Sequence, residues 1–363
     1  TTATTTTTTT LTREQFQIGY RRMFRNAEND NRLLVDVMDS LDPHLTGKID
    51  YVDWCRKVLL WTLSDGQHSL ARSIFGMSEQ DLEDLSTMSQ RAHLFANKAT
   101  RSNTTTQIMV DAEQLLYQPA IDCMVLDLQQ TYNTDRPIVF HTYQCYRRDA
   151  IKRIQRDVER AERYSYHLGI KLVRGAYMES ERAMAAAATG GGMMMMSPIH
   201  DTIQDTHHCY NEAVEWLLRR WYEKTMTTTT TTNEKPLWLD LILATHNQRS
   251  IEKAIALVDE LDDGGIHNPN NRTNHSVVVG FAQLLGMADH LTYNLAHDGR
   301  FPTYKYVPYG PIQEALPYLW RRAQENSAML VANTHHRELE LLEEELSRRL
   351  RQEILTYPSP RMQ

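Results

Sequence analysis

The sequence predicts an α/β protein built as a (β/α)8 TIM-like barrel, incomplete in this chain and preceded by an α-helical segment. From residue 107 onward, short β-rich runs alternate with longer segments whose apolar residues follow helical spacing. That rhythm is typical of parallel strands joined by helical crossovers. Polar or charged residues close each run, and neither of the two common glycine-rich nucleotide-binding loops follows one, which disfavours a Rossmann domain.

Composition excludes several classes of protein. The 363 residues are enough to bury a large core, and a net charge of -7 gives no basic footprint for nucleic acid. The sequence contains no run of about 18 uninterrupted apolar residues, the length needed to span a bilayer. The four cysteines are far apart and have no C-x-x-C spacing, so we expect neither a disulfide framework nor a zinc site; they are Cys55, Cys123, Cys145 and Cys209.

Changes in composition divide the chain into regions. We expect a threonine-rich tail at 1–10, a helical segment at 11–100, the barrel at 101–350 and a tail at 351–363. The threonine tail has no arginine-rich amphipathic pattern for targeting, so we interpret the chain as a fragment or processed product. Two biased stretches, "AAAATGGGMMMM" at 185–196 and "TMTTTTTTNEK" at 225–235, predict flexible surface insertions in the barrel.

The amino-terminal segment has the frame of a calcium-binding loop. Two amphipathic patterns, "LTREQFQIGYRRMFRNAENDNRLLVDVMDSL" and "YVDWCRKVLLWTL", flank "DPHLTGKIDYVD", in which Asp42 is first, Gly47 sixth and Asp53 twelfth. His44 and Thr46 occupy the third and fifth positions, where hard oxygen ligands are wanted, and Asp53 is shorter than the usual glutamate. A metal-free helix-turn-helix is favoured, and calcium binding stays open.

Six β-rich runs carry the candidate site. They read "QIMVDAEQ", "PIVFHTY", "IKLVRGAY", "LWLDLILATHN", "SVVVGFAQLLGM" and "YKYVPYG". In a (β/α) barrel the carboxyl ends of all strands converge on one mouth, where such enzymes keep their active sites. The polar residues at or near these ends are Asp111 and Glu113, His141 and Gln144, Lys171 and Arg174, His246 and Asn247, Gln283, and Tyr306.

Seven ordered motifs give a family resemblance: "MVDAEQ", "HTYQCY", "KLVRGAY", "ATHN", "AQLLGM", "YKYVPYGP" and "YLWRRAQEN". From about Met109 to about Leu350 the chain resembles the eukaryotic mitochondrial proline dehydrogenase (proline oxidase) family. The resemblance implies a (β/α)8 barrel with FAD at its mouth, and oxidation of L-proline to pyrroline-5-carboxylate, the first step of proline catabolism. It also implies electron transfer to a membrane quinone, and a mitochondrial protein associated peripherally with the matrix side of the inner membrane.

The resemblance assigns the paired arginines of "YLWRRAQEN" to the substrate carboxylate. Arg321 and Arg322 are the matching positions, and a planar guanidinium offers a carboxylate two parallel hydrogen bonds that lysine cannot reproduce. Glu325, about one turn further on, is expected to orient a guanidinium, and Tyr318 to wall the pocket. Taken alone, such arginine pairs usually solvate a helix face.

Two further positions are assigned to the substrate by resemblance. Tyr306 matches a residue that packs against the proline ring, where relatives acting on hydroxyproline carry a small hydroxyl residue. Asp111 is expected under the substrate and the flavin. Without the resemblance, Tyr306 fits a buried tyrosine with a satisfied hydroxyl, and Asp111 an ordinary polar residue of a barrel mouth.

The resemblance also implies the flavin contacts. Lys171 and Arg174 would meet the flavin ring and the pyrophosphate, with their order left open. Gly175 and Ala176 would let the backbone approach the cofactor closely. Side chains assigned to polar contacts with FAD are Gln144, Thr245, His246, Asn247 and Gln283. The pairs His207–His208 and His335–His336 have no such context, and we predict that they lie on the surface.

The chain departs from the family pattern at one point. Family members carry an earlier barrel strand with a lysine in an "IKLTA"-like motif, and nothing in residues 1–106 resembles it. Six strands also fall short of eight, so we expect a barrel open on one side that binds FAD weakly or not at all. The alternatives are a hydroxyproline dehydrogenase, which Tyr306 opposes, and a truncated, inactive or calcium-responsive regulatory fragment.

Overall fold

A computed structural model describes most of the chain. The described residues are 10–23, 31–42, 45–50, 78–101, 106–188, 197–231, 237–261, 277–331 and 334–356. They divide into two compact units, one of residues 1–243 with 249–279 and one of residues 244–248 with 280–363.

A small helical cluster opens the first unit. It comprises β1 (Thr10–Thr12), α1 (Arg13–Met23), α2 (Asn31–Leu41) and β2 (Lys48–Asp50). The strands pair antiparallel, with Leu11 opposite Ile49. The predicted helical stretch "LTREQFQIGYRRMFRNAENDNRLLVDVMDSL" thus begins as a strand and contains two helices, whereas "YVDWCRKVLLWTL" lies outside the described residues. The buried apolar cluster is Phe16, Tyr20, Leu34, Val37, Met38, Leu41 and Ile49.

The turn after α2 is closed by the first residue of the predicted calcium loop. The Asp42 carboxylate accepts hydrogen bonds from the Thr46 amide at 2.7 Å, the Thr46 hydroxyl at 2.8 Å and the Gly47 amide at 2.8 Å. Gly47 has φ of 76°, a conformation that glycine adopts without steric cost. His44 and Asp53 lie outside the described residues. Asp42 therefore stabilises this turn through protein hydrogen bonds, whatever the loop binds.

The six predicted strands of the barrel are confirmed. They are β3 (Ile108–Val110), β4 (Val139–Gln144), β5 (Leu168–Val173), β6 (Leu239–Ala244), β7 (Val277–Leu284) and β8 (Thr303–Tyr306). They form one sheet in sequential order, and the registers of β3–β4, β4–β5, β5–β6 and β7–β8 are parallel. The residues of β4 are all buried, as expected for a parallel strand that is covered on both faces. Sequential parallel strands with crossover helices match the predicted incomplete (β/α) barrel.

The remaining helices follow the strands. They are α3 (Glu79–Arg101), α4 (Gln118–Tyr132), α5 (Ala150–Tyr164), α6 (Met178–Ala188), α7 (Ile203–Thr231), α8 (Gln248–Leu261), α9 (Asp289–Asp298), α10 (Ile312–Val331) and α11 (Thr334–Thr356). Both biased stretches begin within helices, since α6 continues to Ala188 and α7 to Thr231. Residues 185–188 and 225–231 are therefore helical, and the assignment of the two stretches as insertions stays a prediction. Among the described helices, none is long and apolar enough to cross a membrane.

Buried amides fix the amino-terminal end of the sheet. The Asn133 side chain accepts hydrogen bonds from the amides of Ile138 and Val139, both at 2.9 Å. Its amide nitrogen donates to the Val139 and His167 carbonyls. The Asn133 side chain thus pairs with four backbone groups, so both of its own buried polar atoms are hydrogen-bonded.

Candidate active site

In the first unit, an ion pair bridges two strands that are not neighbours. Lys171 Nζ, on β5, lies 2.5 Å from Asp111 Oδ1, which directly follows β3. The Lys171 side chain is 10% exposed and the Asp111 side chain 49% exposed. On β4, between them in the sheet, Thr142 donates from Oγ1 to the Val110 carbonyl at 2.7 Å. The predicted residues Lys171 and Asp111 are therefore brought together, and Asp111 is the more solvent-exposed of the two.

The segment after β3 is held by side chains from neighbouring elements. Gln144, a predicted flavin contact, donates from Nε2 to the Glu113 carbonyl at 2.8 Å. The Glu113 amide donates to Gln118 Oε1 at 2.9 Å. The buried carboxylate of Glu181 accepts from the Leu115 amide at 2.7 Å. These bonds fix the backbone next to Asp111, and sequence reasoning missed Gln118 and Glu181.

Arg174 has neutral partners in its immediate surroundings. Its Nε donates to His207 Nδ1 at 2.8 Å and its Nη2 donates to the Ser250 hydroxyl at 2.8 Å. The guanidinium carbon lies 4.4 Å from the centre of the Tyr210 ring, a cation–π geometry. Burial lowers the pKa of the Arg174 guanidinium.

His207 is not the surface residue that the sequence analysis predicted. It is half-buried against Arg174, and burial together with that positive charge lowers the pKa of its imidazole, which favours the neutral acceptor form. Its neighbour His208 is exposed, with 85% of the side chain in water, as predicted. Helical phase explains the difference, because adjacent residues on α7 point in different directions. The side chains of His335 and His336 lie outside the described residues.

Gly175 is required by packing against Tyr146. Its φ is 124°, and a Cβ atom at this position would lie 2.5 Å from Cδ1 of the Tyr146 ring. Any larger residue would force that buried ring to move. Packing against Tyr146 is therefore a sufficient reason for glycine at this position, with or without the predicted approach of a cofactor. Ala176 follows it in the loop after β5 and is half-buried.

His141 faces away from the other strand-end residues. Its Nε2 lies 3.0 Å from Asp122 Oδ1 on α4, and its ring lies 4.5 Å from the Tyr143 ring. Burial lowers the pKa of His141 to about 4, so the ring is neutral at physiological pH. The expectation that His141 joins the polar ring at the strand ends is wrong, because alternate residues of a strand face opposite sides.

The second unit contains the "ATHN" residues. The His246 Nε2 accepts a hydrogen bond from the Leu284 amide at 3.0 Å, and Thr245 accepts from the Asn247 amide at 3.0 Å. Gln283 is buried, donating to the Thr245 carbonyl at 3.3 Å and accepting from Thr292 at 2.9 Å. These four predicted flavin contacts therefore lie close together and support the local backbone.

An aromatic and cationic row also lies in the second unit. The Tyr306 ring, at the end of β8, is 6.1 Å from the Tyr318 ring on α10. The Arg322 guanidinium carbon is 5.3 Å from the centre of the Tyr318 ring. The predicted substrate residues Tyr306, Tyr318 and Arg322 are thus brought together. Arg321 and Glu325 belong to α10, but their side chains lie outside the described residues.

The strand-end groups of the first unit suit an anionic, polar ligand better than a metal ion. No group of three or more histidine, cysteine, aspartate or glutamate side chains in the described part of the chain could hold a metal ion. In contrast, the first unit places Lys171, Arg174 and the Gln144 amide at the ends of adjacent parallel strands. Cations and amides there suit an anionic pyrophosphate and a polar ring system.

The fold and these strand-end groups define the class of the protein: an incomplete (β/α) barrel with its candidate site at the carboxyl ends of the strands. The particular family follows from comparison. The family model described as "Proline dehydrogenase" matches residues 7–335, and this chain belongs to that family. The match begins far upstream of Met109, so the family extends over the amino-terminal helices in which sequence reasoning found no resemblance.

Individual relatives agree with this assignment. The chain is 36% identical to the human protein "Proline dehydrogenase 1, mitochondrial" over 317 residues, covering 85% of this chain and 47% of that protein. It is 31% identical to a Xenopus laevis "Hydroxyproline dehydrogenase" over 274 residues, covering 76% of this chain and 52% of that one. This chain therefore spans about half the length of these relatives.

A solved structure shows the same fold. Proline utilization A from Bdellovibrio bacteriovorus, inactivated by N-propargylglycine, superimposes with a TM-score of 0.52 at 19% identity. The superposition covers 67% of this chain and 22% of that one. At this identity the likeness concerns the fold, and it supports the barrel architecture.

Proposed function

We propose that the protein is an FAD-dependent proline dehydrogenase that oxidises L-proline to pyrroline-5-carboxylate, the first step of proline catabolism. The observation that carries the proposal is the family match over residues 7–335, together with the charged strand ends of the first unit. The names of the relatives favour a mitochondrial location. We further propose a quinone as electron acceptor and peripheral association with the matrix side of the inner membrane.

Residues assigned to the cofactor occur in each of the two units. We assign Gln144, Lys171, Arg174, Gly175 and Ala176 to FAD, together with Thr245, His246, Asn247 and Gln283 of the second unit. When bound, FAD would take up the hydride that leaves proline. Arg174 suits a phosphate because its guanidinium is held in place by His207, Ser250 and the Tyr210 ring, so little side-chain entropy is lost on binding.

We assign α10 to the substrate. Arg321 and Arg322 would bind the proline carboxylate, and Glu325 would orient a guanidinium. The contact between Arg322 and the Tyr318 ring supports this role, because it holds the guanidinium beside a residue assigned to the wall of the same pocket. Tyr306 and Tyr318 would pack against the apolar proline ring and exclude water from it. Asp111 would lie near the substrate and hold the charge of Lys171.

Hydroxyproline oxidation is the second candidate, since a hydroxyproline dehydrogenase is among the relatives. The bulky Tyr306 ring disfavours a substrate with an added ring hydroxyl. Steady-state oxidation of L-proline and of trans-4-hydroxy-L-proline, with added FAD and a soluble quinone, tests both functions. We expect a higher kcat/KM for L-proline, with pyrroline-5-carboxylate identified by mass spectrometry. A higher kcat/KM for hydroxyproline would favour the second candidate, and turnover of neither would reject both.

A further inference from the structure

A carboxylate on α6 holds the segment that follows β3. Glu181 lies in the first turn of α6, only 3% of the residue is exposed, and its Oε1 accepts a hydrogen bond from the Leu115 amide at 2.7 Å. Burying a carboxylate costs free energy unless the group is hydrogen-bonded. The Leu115 amide supplies such a bond, and the amino-terminal end of a helix favours a negative charge. Glu181 and the backbone at Leu115 therefore stabilise each other.

The same segment is held at two further points, both of them on the backbone of Glu113. The Glu113 amide donates to Gln118 Oε1 at 2.9 Å, and the Glu113 carbonyl accepts from Gln144 Nε2 at 2.8 Å. Gln118 is itself oriented, because its Nε2 donates to the buried Asp122 carboxylate at 2.8 Å. Side chains from α4, β4 and α6 thus fix the backbone from two to four residues after Asp111.

Glu181 connects two parts of the candidate site. It follows residues 174–176, which we assign to the cofactor, by one turn of helix. Its partner Leu115 lies in the segment that begins with Asp111, and Asp111 pairs with Lys171 on β5 at 2.5 Å. Because Asp111 is half-exposed, water competes for its carboxylate, and the ion pair depends on a backbone that keeps the acid beside the lysine.

We propose that Glu181 is a positioning residue of this site: through the Leu115 amide it fixes the segment after β3, so that Asp111 stays in contact with Lys171. The acid assigned to the substrate is thereby linked to the helix that follows the cofactor-assigned residues. The contribution of Glu181 to proline oxidation rests on the function proposed above, whereas its contribution to the ion pair does not.

The first test compares the effect of Asp111→Asn in two backgrounds by urea unfolding. In the parent chain this change should raise the unfolding equilibrium constant about 10- to 150-fold, the range for a hydrogen bond to a charged group. In Glu181→Met it should raise the constant less than about threefold, because the ion pair is already lost. Residues that do not touch and act independently have additive effects, so a purely structural role of Glu181 would leave the two values equal.

A conservative variant and a control accompany this comparison. Glu181→Gln keeps an oxygen acceptor for the Leu115 amide and should restore the full effect of Asp111→Asn. Tyr143→Phe removes another buried hydrogen bond, from the Tyr143 hydroxyl to Asp157 at 2.9 Å, and should leave that effect unchanged. If Glu181→Met does not fold, Glu181→Asp takes its place, because its shorter side chain no longer reaches the amide.

The second test is steady-state oxidation of L-proline with added FAD. Glu181→Met should lower kcat/KM at least about tenfold, Glu181→Gln should restore most of the loss, and Tyr143→Phe should keep the parental value. Equal effects of Asp111→Asn in the parent and in Glu181→Met, or a parental kcat/KM in Glu181→Met, would overturn the role of Glu181. A parent chain that does not oxidise L-proline would instead reject the proposed function, and the unfolding comparison would still decide whether Glu181 positions Asp111.

Discussion

Lys171 and Asp111 form an ion pair across β4, with Lys171 Nζ 2.5 Å from Asp111 Oδ1. The lysine is nearly buried and the acid is half-exposed, so the two partners do not depend on the pair equally. Removing the acid would leave a poorly hydrated positive charge, whereas removing the lysine would leave a carboxylate that water can solvate.

This asymmetry gives the first prediction. Asp111→Asn should lower the free energy of unfolding by about 1.5–3 kcal/mol, the usual contribution of a hydrogen bond to a charged group, because a neutral amide no longer balances the lysine charge. Lys171→Met should cost less than about 1 kcal/mol, because the remaining carboxylate is half-exposed. Urea unfolding measures both. Glu215→Gln, which removes an exposed partner of Arg219, is the control and should have almost no effect. Equal losses for Asp111→Asn and Lys171→Met would contradict the asymmetry.

His141 makes stability depend on pH. Burial lowers the pKa of this imidazole from 6.5 to about 4, so the folded protein binds fewer protons than the unfolded chain between these values. The contribution of neutral His141 to the free energy of unfolding is then fully present above about pH 6.5 and is lost as the pH falls towards 4. At pH 5 the loss from this residue is about 2 kcal/mol. We expect His141→Gln to reduce the loss of unfolding free energy between pH 7 and pH 5 by that amount.

The control for His141 is an exposed histidine. His208→Gln should leave the pH dependence of unfolding unchanged, since most of the His208 side chain is in water. Urea unfolding at pH 7 and pH 5 for the three proteins gives the comparison. If His141→Gln and the unsubstituted chain lose equal free energy between these pH values, His141 is not the buried neutral group described here.

Sequence reasoning located the strands well because each consists of a β-branched or apolar run closed by polar residues. "PIVFHTY" became β4 and "LWLDLILATHN" contains β6, and their helical crossovers follow directly. It failed where the arrangement depends on packing between distant elements. Helix α7 begins after a long stretch that the pattern treats as an insertion, so its phase relative to β4 and β5 could not be predicted.

The consequences are visible around Arg174. His207 was predicted to lie on the surface, although it accepts a hydrogen bond from Arg174, which directly follows β5. The contact of Gly175 with the Tyr146 ring, which fills the position of a Cβ atom, was not predicted, and its assignment to the cofactor stays a prediction. His141 was placed with the strand-end residues because the alternation of side chains along β4 was not applied. Residue type gave the candidate residues, and packing determined their partners.

The carboxylate-binding role of the paired arginines predicts a loss that lysine does not prevent. Arg321→Lys and Arg322→Lys keep the charge but lose the planar fork, so each should lower kcat/KM for L-proline roughly 10- to 150-fold, equivalent to about 1.5–3 kcal/mol. The effect should fall mainly on KM if the carboxylate is bound equally in the ground and transition states.

The matched control for these arginines is Arg348→Lys. Arg348 pairs with Glu345 on the exposed surface of α11, so this change should leave KM unaltered. Steady-state kinetics with added FAD distinguish the variants. A KM for L-proline within about twofold of the parent in both Arg321→Lys and Arg322→Lys would remove these arginines from the carboxylate site.

Tyr306 is predicted to set the choice between L-proline and hydroxyproline. Tyr306→Ser should relieve the clash with a ring hydroxyl and weaken packing on proline, shifting the ratio of kcat/KM values towards hydroxyproline by about 1–3 kcal/mol. Tyr309→Ser is the control, because Tyr309 is fully exposed three residues away and should leave the ratio unchanged. An unchanged ratio in Tyr306→Ser would place this tyrosine outside the substrate pocket.

The most direct test of the central claim is the visible spectrum of the purified chain with saturating FAD, recorded anaerobically before and after addition of L-proline. The account predicts that the flavin bands bleach with L-proline, more slowly with trans-4-hydroxy-L-proline, and much more slowly with L-proline in Arg322→Lys. Flavin that stays oxidised in the presence of L-proline, or that bleaches equally fast in Arg322→Lys, would contradict it.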